Sequence, residues 1–316
     1  MAEVRLINRI SKALSPSSLR CLSGTPTINL TSGCIHNCVY CYSRGYSRYP
    51  ENNSIELYAN TAEQVQQELP RKRKKPIAVY FCPSCDPFQP IPEVESQAYD
   101  TMKILLENSI GVQFLTKGCI PARFLKMFKT YRHLIHSQIG LTSCNENLLK
   151  TFEPKAASFD QRLNSLSRLM EIGVEVAVRL DPLIAGVTDT DENLHELLVK
   201  TSRIGVREIA ISYMFLRPAI KSNLIKKIKD EVFLNKILSA YSKNIRLPIA
   251  APNSQTWVLP REMRRQGFGR IKNIADGYGI NVRICGCKNP DITDDSCNII
   301  HLSKNKELPL FSGTKT

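Results

Sequence analysis

The sequence predicts an α/β protein in which parallel strands alternate with helices, as in a full or partial (β/α) TIM-type barrel. Three observations support this fold class. Short β-rich runs recur at intervals that suit one strand and one helix, amphipathic helical patterns lie between them, and polar or cysteine residues directly follow the strands. Such alternation is typical of parallel βαβ units. A doubly wound sheet is the alternative architecture.

Six runs are predicted as strands of the sheet, and a seventh candidate follows them. They are TINL (27–30), IAVYF (77–81), VQFLT (112–116), SQIGLT (137–142), VEVAVRL (174–180) and REIAIS (207–212), with LPIAA (247–251) as the seventh candidate. Helical patterns fall at 98–108, 124–134, 161–173 and 192–205. The last two stop at Gly173 and Gly205, and glycine often ends a helix because it accepts the left-handed backbone conformation.

Changes in character along the chain predict three parts. Residues 1–24 precede the first strand and are predicted as an N-terminal extension. Residues 25–252 hold the strand–helix repeats and are predicted as the barrel. From residue 253 the chain becomes basic and rich in glycine and cysteine, which predicts a small cysteine-containing C-terminal module over 253–316.

The composition excludes several classes of protein. The 316 residues are 42% hydrophobic and 23% charged, which is ordinary for a globular protein and unlike a disordered, collagen-like or coiled-coil chain. Long apolar runs are missing and the first residues lack an apolar signal core, so we expect a cytoplasmic protein without a membrane partner. The net charge of +14 makes nucleic acid a candidate partner, although the run RKRKK at 71–75 is predicted to be a solvated loop.

Residues suited to chemistry follow five predicted strands in succession. They lie at 32–34, 82–87, 116–118, 142–145 and 181–186. The carboxyl ends of parallel barrel strands converge on one face, and catalytic residues are found on that face. The sequence therefore predicts one active site assembled from these five segments.

The segment CIHNCVYC spaces Cys34, Cys38 and Cys41 as C-x3-C-x2-C. Thiolates are soft ligands that suit zinc or an iron–sulfur cluster. Three ligands leave one metal position open, whereas a structural zinc site uses four. His36 is a candidate fourth ligand, but we expect it to be solvated or hydrogen-bonded instead.

This spacing after a first β-strand, within a βα-repeat chain, resembles the signature of the radical SAM superfamily. The resemblance implies that the three cysteines hold a 4Fe-4S cluster whose fourth iron binds S-adenosylmethionine. It also implies reductive cleavage of S-adenosylmethionine to a 5′-deoxyadenosyl radical, with electrons from an external donor such as a flavodoxin or ferredoxin. The protein then positions the cofactor and excludes competing reactions.

Further motifs resemble the spore photoproduct lyase-like branch, whose type enzyme is a DNA repair lyase. They are CVYCYSR (38–44), CDPFQP (85–90), TKG (116–118), FEP (152–154) and DPLIAGVTD (181–189). The resemblance covers about residues 26–215. It implies that a cysteine, here Cys82 or Cys85, returns a hydrogen atom to the substrate with help from Tyr40 and Tyr42. The alternative is that these side chains are merely packed, because buried free cysteine is common.

The same resemblance suggests which residues bind S-adenosylmethionine. Lys117 matches a position that reaches the cofactor carboxylate, and Thr142 or Ser143 could bind its ribose or carboxylate. Alternation along 174–180 directs Arg179 and Asp181 toward the barrel interior, where the arginine could bind a carboxylate in bidentate fashion. A structural pair of Arg179 with Asp181 or with Glu175 is the alternative.

The segment RICGCKNPDITDDSC spaces Cys285, Cys287 and Cys297 as C-x-C-x9-C. Three cysteines this close predict a metal site. A second iron–sulfur cluster, a zinc ion that holds a small domain together, and unliganded cysteines all remain open. The candidates for a fourth ligand are Cys21, His301, Asp291, substrate or water.

A basic stretch precedes these cysteines. PREMRRQGFGRIK (260–272) carries several arginines, with Trp257 and Phe268 nearby. Basic residues beside aromatic ones suit a phosphate backbone and a stacked base. The alternative is a solvated helix face whose aromatic residues are packed inward.

Three functions follow from these observations. The first is a radical SAM enzyme that acts on nucleic acid in a spore photoproduct lyase-like reaction. The second is a radical SAM enzyme that modifies a peptide or small metabolite, with an auxiliary cluster at the C-terminal cysteines. The third is a non-catalytic iron–sulfur or zinc protein that binds nucleic acid.

Overall fold

The computed structural model describes residues 3–50, 54–249 and 255–297. The strands are β1 (Val4–Ile7), β2 (Thr27–Ile28), β3 (Thr31–Ser32), β4 (Ile55–Tyr58), β5 (Ala78–Phe81), β6 (Gly111–Thr116), β7 (Ile135–Gly140), β8 (Glu175–Leu183), β9 (Glu208–Tyr213), β10 (Ile245–Pro248), β11 (Gln255–Val258) and β12 (Asn281–Ile284). The helices are α1 (Thr61–Glu68), α2 (Pro92–Glu107), α3 (Ala122–Thr130), α4 (Glu146–Phe152), α5 (Phe159–Glu171), α6 (Asp191–Ile204), α7 (Pro218–Lys227), α8 (Glu231–Ser239) and α9 (Arg261–Asp276).

A seven-stranded parallel sheet forms the centre of the fold. Its order is β12-β9-β8-β7-β6-β5-β2, and every neighbouring pair is parallel. In the described part of the chain the edge strands β2 and β12 do not pair with each other, so the barrel is partial. The predicted α/β class and partial barrel are therefore confirmed. Two smaller sheets, β1-β4-β3 and the β10–β11 hairpin, lie outside the central sheet.

The prediction of 247–251 as a barrel strand is wrong. The β10 strand ends at Pro248 and pairs with β11 in an antiparallel hairpin. The seventh strand of the central sheet is β12, which lies parallel to β9. The run NVRI is short and carries Asn281 and Arg283, so its composition gave a weak strand signal. The division at residues 24 and 252 stays a prediction, but the segment after 252 contributes β12 and the segment before 25 contributes β1.

The helix ends follow local rules of capping. Ser158 and Gln161 form a reciprocal capping box at the start of α5. Gly173 and Gly205, just beyond α5 and α6, have φ angles of +79° and +105°. These are the left-handed conformations expected of glycine after a helix. The connections into β8 and β9 are thereby kept short.

The core lies between the central sheet and its helices. An aromatic cluster of Phe88, Phe114, Phe124 and Phe128 is fully buried between β6, α3 and the loop after β5. Its burial fixes the strand ends that carry the candidate site. None of the helices among the described residues is both long and apolar enough to cross a membrane.

The packing of α9 against the sheet can be tested by replacing two of its glycines with alanine, one of which serves as the control. A Cβ atom on Gly267 would lie 2.0 Å from the hydroxyl oxygen of Tyr213, which donates a hydrogen bond to Asp189 at 2.8 Å. Gly267→Ala should therefore lower the free energy of unfolding by about 1–3 kcal/mol. Gly269→Ala, in the same helix with no atom within 4 Å of the added Cβ, should raise it by about 0.5–1 kcal/mol.

The measurement is the melting temperature of both variants, followed by circular dichroism under anaerobic conditions. Opposite shifts are expected. If the two substitutions move the melting temperature in the same direction, the close packing of Gly267 on Tyr213 is not what constrains this helix.

Candidate active site

A cavity of about 210 Å³ lies at the carboxyl ends of the central strands, where the sequence predicts the active site. Its lining brings together residues from distant parts of the chain. The lining residues that can bind a metal, carry a charge or react are Cys34, His36, Cys38, Tyr40, Cys41, Tyr42, Cys82, Cys85, Asp86, Lys117, Arg179, Asp181, Lys288 and the cysteines at 21, 285, 287 and 297.

The C-x3-C-x2-C cysteines lie in an irregular loop between β3 and a short 3₁₀ turn at Tyr42–Gly45. All three sulfurs belong to partly buried residues. Two backbone hydrogen bonds hold the loop to residues 152–155, from Val39 N to the Phe152 carbonyl at 2.8 Å and from Lys155 N to the His36 carbonyl at 3.2 Å. The loop is thus positioned by the segment after α4 rather than by its own secondary structure.

Glu153 is the centre of a buried ionic network beneath this loop. Its carboxylate accepts hydrogen bonds from the hydroxyls of Tyr40 and of Thr142, the latter at 2.8 Å. It also pairs with Arg162 at 2.5 Å and with Lys117 at 3.4 Å. The sequence marked FEP (152–154) as a motif but did not identify this carboxylate as a site residue.

The electrostatics of the network favour a charged glutamate. Burial by itself would raise the pKa of Glu153, but the adjacent Arg162 and Lys117 cations and the two hydroxyl donors lower it to about 2. Burial likewise disfavours the charge on Arg162, yet Glu153 raises the net pKa of that guanidinium. The pair therefore remains charged at neutral pH although both side chains are almost fully buried.

His36 and Asp86 form a second buried contact at the cavity. The Asp86 carboxylate accepts hydrogen bonds from the Thr116 hydroxyl and from Lys117 N, both at 2.8 Å, so it ties the loop after β5 to the end of β6. His36 Nδ1 lies 3.5 Å from this carboxylate. Burial lowers the pKa of His36, and its buried Nε2 has no hydrogen-bond partner within the described part of the chain.

Lys117 lies at the cavity wall between Glu153 and Asp181. Its Nζ donates to the Asp181 carbonyl at 3.0 Å and lies 3.4 Å from Glu153. A Cβ on Gly140 would come within 2.9 Å of this Nζ, so the glycine at the end of β7 makes room for the lysine. Lys117 therefore lines the cavity, and its contact with the carboxylate of S-adenosylmethionine stays a prediction.

Arg179 and Asp181 both point into the cavity, as the alternation along β8 predicts. The Arg179 guanidinium contacts the Asp181 carboxylate at 2.9 Å and Gln138 at 3.2 Å. Lys288 binds the other side of the same carboxylate at 2.5 Å. Burial alone would raise the pKa of Asp181, and the two cations lower it to about 2. The structural pair that the sequence left open is therefore present, with Lys288 as a third member that it did not anticipate.

Two of the predicted cofactor contacts lie behind the cavity wall. Thr142 is buried and its hydroxyl donates to Glu153. Ser143 is also buried, and its hydroxyl donates to Asn193 at 2.7 Å. Neither residue belongs to the described lining of the cavity.

Cys82 and Cys85 both line the cavity at the end of β5. Cys82 is buried and has a φ angle of +54°, an uncommon conformation for a residue other than glycine. Burial raises the pKa of the Cys82 thiol, whereas hydrogen bonds from Cys82 and Thr31 outweigh burial and lower the pKa of Cys85. The Tyr42 hydroxyl donates to the carbonyl of Pro83 in the same loop. Tyr42 therefore lies beside the loop that carries both thiols, whereas the Tyr40 hydroxyl is directed to Glu153.

The second group of cysteines gathers at the base of the cavity. The Sγ atoms of Cys21, Cys285, Cys287 and Cys297 all lie within 4.8 Å of one another. Among the candidates for a fourth ligand, Cys21 therefore joins the group. Asp291 does not, because its carboxylate binds Arg264 at 2.6 Å. His301 lies outside the described residues.

The basic stretch at 260–272 forms α9 and only part of it faces solvent. Arg264 is 1% exposed and bound to Asp291, while Arg270 pairs with Asp189 and Asp191. Phe268 is buried against Tyr213. The prediction of a nucleic-acid surface is thus wrong for Arg264 and Arg270, because acidic partners far away in sequence neutralise these arginines. For Phe268 the structure has the inward packing that the sequence analysis gave as the alternative. Arg261, Arg265 and Lys272 remain exposed, as does most of the 71–75 loop.

A separate hollow of about 800 Å³ borders the cysteine loop and shares Cys34 with the cavity. Its basic side chains come from three parts of the chain, and none of its described lining residues is acidic. They are Arg44, Lys155, Lys226 and Lys227, with Tyr46 and Tyr49 as aromatic neighbours. This basic hollow therefore combines basic and aromatic side chains, the combination that the sequence analysis predicted at 260–272.

Relatives and solved structures resemble the chain at low identity. The "Radical SAM Nalpha-GlyT isomerase" of Pseudomonas phage M6 is 22% identical over 182 residues, which are 57% of this chain but 37% of the phage protein. An uncharacterized protein of Acidianus two-tailed virus is 24% identical over 69% of this chain and 77% of its own. Spore photoproduct lyase complexed with dinucleoside spore photoproduct has a TM-score of 0.65 at 15% identity, over 89% of this chain and 81% of that chain.

A family model extends over most of the strands and loops that build the cavity. The model described as the Radical SAM superfamily matches residues 28–198, more than half of the chain, and this range includes the C-x3-C-x2-C loop, Lys117, Glu153 and Arg179. The chain therefore belongs to the radical SAM superfamily of enzymes.

Proposed function

We propose that this enzyme uses a 4Fe-4S cluster and S-adenosylmethionine to rearrange a nucleobase in nucleic acid, removing a hydrogen atom and returning one. The observation that carries the proposal is the single cavity lined by the cluster cysteines, by the thiols of Cys82 and Cys85, and by Tyr42. Such a reaction is redox-neutral, as in a spore photoproduct lyase-like reaction or an isomerisation.

The residues of the cavity fit the two cofactors that the family implies. Three thiolates at Cys34, Cys38 and Cys41 are the donors that an iron–sulfur cluster requires. The buried Nε2 of His36 has no described partner and lines the same cavity. Lys117 and Arg179 supply cations for the carboxylate of S-adenosylmethionine. When bound, the cofactors supply the 5′-deoxyadenosyl radical.

Several observations support nucleic acid as the substrate class. The fold is shared with an enzyme solved in complex with a dinucleoside. The basic hollow borders the cluster loop, and its cations with Tyr46 and Tyr49 suit a phosphate backbone with stacked bases. The net charge of +14 adds long-range attraction. A backbone held in the hollow would leave a flipped base near the cavity, because the two share Cys34.

The return of the hydrogen atom is assigned to Cys82. A donor must keep its S–H bond at neutral pH, and burial raises the pKa of this thiol. In the step, the S–H bond breaks, a C–H bond forms on the substrate radical, and a thiyl radical remains on Cys82. Tyr42, whose hydroxyl contacts the same loop, can return a hydrogen atom to that sulfur. The tyrosyl radical left on Tyr42 then takes one electron from the external donor and one proton from solvent, so the enzyme is restored and 5′-deoxyadenosine is released.

A peptide or small metabolite is the alternative substrate. An auxiliary cluster at the C-terminal cysteines would favour it, since such a cluster could bind or oxidise a substrate. The four sulfur atoms of that group lie within 4.8 Å of one another, which is close for a 4Fe-4S cluster and weakens the support for this substrate. An external electron donor of the flavodoxin or ferredoxin type serves either substrate.

The first prediction concerns turnover. Protein reconstituted anaerobically with iron and sulfide should form 5′-deoxyadenosine from S-adenosylmethionine and dithionite, and DNA carrying the spore photoproduct should yield thymine. Replacing Cys34, Cys38 or Cys41 with Ala should abolish both products, whereas Cys119→Ser, at an exposed site, should leave them unchanged. Mass spectrometry of one sample reads both products.

The outcomes of this assay test the substrate and the cluster ligands separately. Deoxyadenosine without thymine would reject the lesion as substrate while keeping the radical chemistry, and would direct the search to other modified nucleotides. Deoxyadenosine formed by any of the three alanine variants would reject the cluster assignment.

The second prediction concerns the hydrogen donor. Thiol hydrogens exchange with solvent, so turnover in D2O should place one deuterium in the product. Cys82→Ala should reduce this label to background while 5′-deoxyadenosine still forms, and Cys85→Ala should retain it. Loss of the label only in Cys85→Ala would move the donor role to Cys85, and a label unchanged in both variants would reject a thiol donor.

The third prediction concerns the basic hollow. The double variant Lys226→Glu and Lys227→Glu should weaken binding of single-stranded DNA and make the slope of log K against log salt less negative by about 1.5. Reversal of Lys126 and Lys129, which are exposed on α3, makes the same change in net charge and should have little effect. Fluorescence anisotropy at several salt concentrations measures both slopes.

Equal slopes for the two double variants would reject the hollow as the nucleic-acid site. If the Lys226 and Lys227 variant binds DNA normally, turns over with dithionite and fails only with a flavodoxin, the hollow serves the electron donor instead.

A further inference from the structure

We infer that Cys21, Cys285, Cys287 and Cys297 bind a single zinc ion in a closed tetrahedral site. This group is distinct from the cysteines of the C-x3-C-x2-C loop. Cys21 comes from the segment before β2, and the other three come from the segment after β12. Four protein ligands leave no open position, which is typical of a structural rather than a catalytic zinc site.

The separation of the sulfur atoms favours one ion over a cluster. Zinc–sulfur bonds of about 2.3 Å in a tetrahedron place the sulfurs roughly 3.8 Å apart. The four Sγ atoms lie within 4.8 Å of one another, and Cys297 Sγ is 3.2 Å from those of Cys285 and Cys21. In a 4Fe-4S cluster each thiolate binds a different iron, so its sulfurs stand farther apart.

The C-x3-C-x2-C loop provides an internal comparison. Among the described residues, the group around Cys285 is the one set of three or more histidine, cysteine or acidic side chains drawn together this closely. Cys34, Cys38 and Cys41 are spread more widely, as ligands of a larger cluster would be. The two groups of cysteines therefore differ in the size of the metal centre that they fit.

The group is closely packed on the side that faces the sheet and the C-terminal loop. Its sulfurs pack against Ala177 of β8 and Ala210 of β9, the small inward residues of the barrel. Cys285 and Cys297 are buried. A Cβ on Gly286 would lie 2.6 Å from the carbonyl oxygen of Asp295, so the loop that returns Cys297 to Cys285 is tightly closed.

The charges nearby suit a tetrathiolate centre. Zinc binding displaces the thiol protons to solvent, and four thiolates on one Zn²⁺ carry a net charge of 2−. Arg179 Nη2 lies 3.9 Å from Cys285 Sγ, and the backbone N–H of Cys21 donates to Cys287 Sγ at 2.9 Å. Such donors around the ligands are what a metal site requires beyond the ligands themselves.

The position of the four cysteines gives the zinc ion a structural role. β2 and β12 are the two edges of the central sheet, and no strand pairing joins them in the described part of the chain. Cys21 precedes β2 and Cys285 directly follows β12. One ion therefore links the segments flanking both edges and forms the floor of the active-site cavity.

A disulfide is the competing arrangement, since Cys21 and Cys287 are joined through sulfur in the structure. It would use two of the four cysteines and leave the thiols of Cys285 and Cys297 in contact with each other. The convergence of all four sulfurs is explained by a metal ion and is left unexplained by one disulfide.

The test is metal analysis of protein produced with both iron and zinc in the medium and purified without oxygen. The wild type should contain about four irons and one zinc per chain. The triple variant Cys34→Ala, Cys38→Ala and Cys41→Ala should lose the iron and keep one zinc. Retained zinc would also show that the triple variant folds at this site.

Two results would overturn the inference. About four irons in the triple variant would mean a second iron–sulfur cluster. No zinc, with two fewer reactive thiols in the denatured wild type than its eleven cysteines provide, would mean the disulfide. Neither result depends on turnover, so the outcome is independent of the proposed function.

A second measurement checks the ligands one by one. Cobalt(II) added to the metal-free triple variant should give the intense visible bands of tetrahedral thiolate coordination. A further Cys297→Ser change should weaken and shift these bands and lower zinc affinity by at least tenfold, whereas a further Cys119→Ser change should alter neither. Unchanged bands on loss of Cys297 would reject it as a ligand, and with it the four-cysteine site.

Discussion

The geometry of the active site depends on the contacts of the buried Glu153 carboxylate. The loop that carries Cys34, Cys38 and Cys41 has no regular secondary structure to fix it. It is held by two backbone hydrogen bonds to residues 152–155 and by the hydroxyl of Tyr40 on Glu153. Because Glu153 is anchored by Arg162 of α5, the cysteine loop is joined to the rigid part of the barrel. Removing one partner of a buried pair leaves an uncompensated charge, which costs about 3–5 kcal/mol.

Two anionic centres then determine where the cations of the cavity lie. Lys117 pairs with the Glu153 carboxylate and donates a hydrogen bond to the backbone carbonyl of Asp181. Arg179 and Lys288 share the Asp181 carboxylate. Each cation is therefore fixed in position before a ligand arrives, which reduces the entropy lost when an anionic ligand binds. The low pKa values of Glu153 and Asp181, both about 2, keep these anchors charged throughout the neutral range.

Short-range signals in the sequence were sufficient for much of this arrangement. Strand–helix alternation predicts the parallel sheet, cysteine spacing predicts the cluster loop, and alternation along β8 predicts that Arg179 and Asp181 face inward. The remainder depends on contacts between residues far apart in sequence. No local pattern indicates that Arg264 is neutralised by Asp291, that Cys21 joins cysteines more than 260 residues later, or that Lys226 and Lys227 border the cluster loop. β12 was missed for a related reason, since four residues pair with β9 only once the chain has folded back.

The gap between the edge strands β2 and β12 explains why the four cysteines gather at this place in the barrel. A closed barrel fills its interior with large side chains from every strand, but here β8 and β9 present Ala177 and Ala210 at the level of the group. Larger inward residues would fill this space at the cost of excluding the cysteines. The sulfur atoms occupy it instead and bring the flanks of both edge strands together. Arg179 contacts this group on one side and Asp181 on the other, so the same side chain that lines the cavity also rests on its floor. The link between the flanks of β2 and β12 and the shape of the active site are thus set by one chain of contacts, from the cysteines through Arg179 and Asp181 to Lys117.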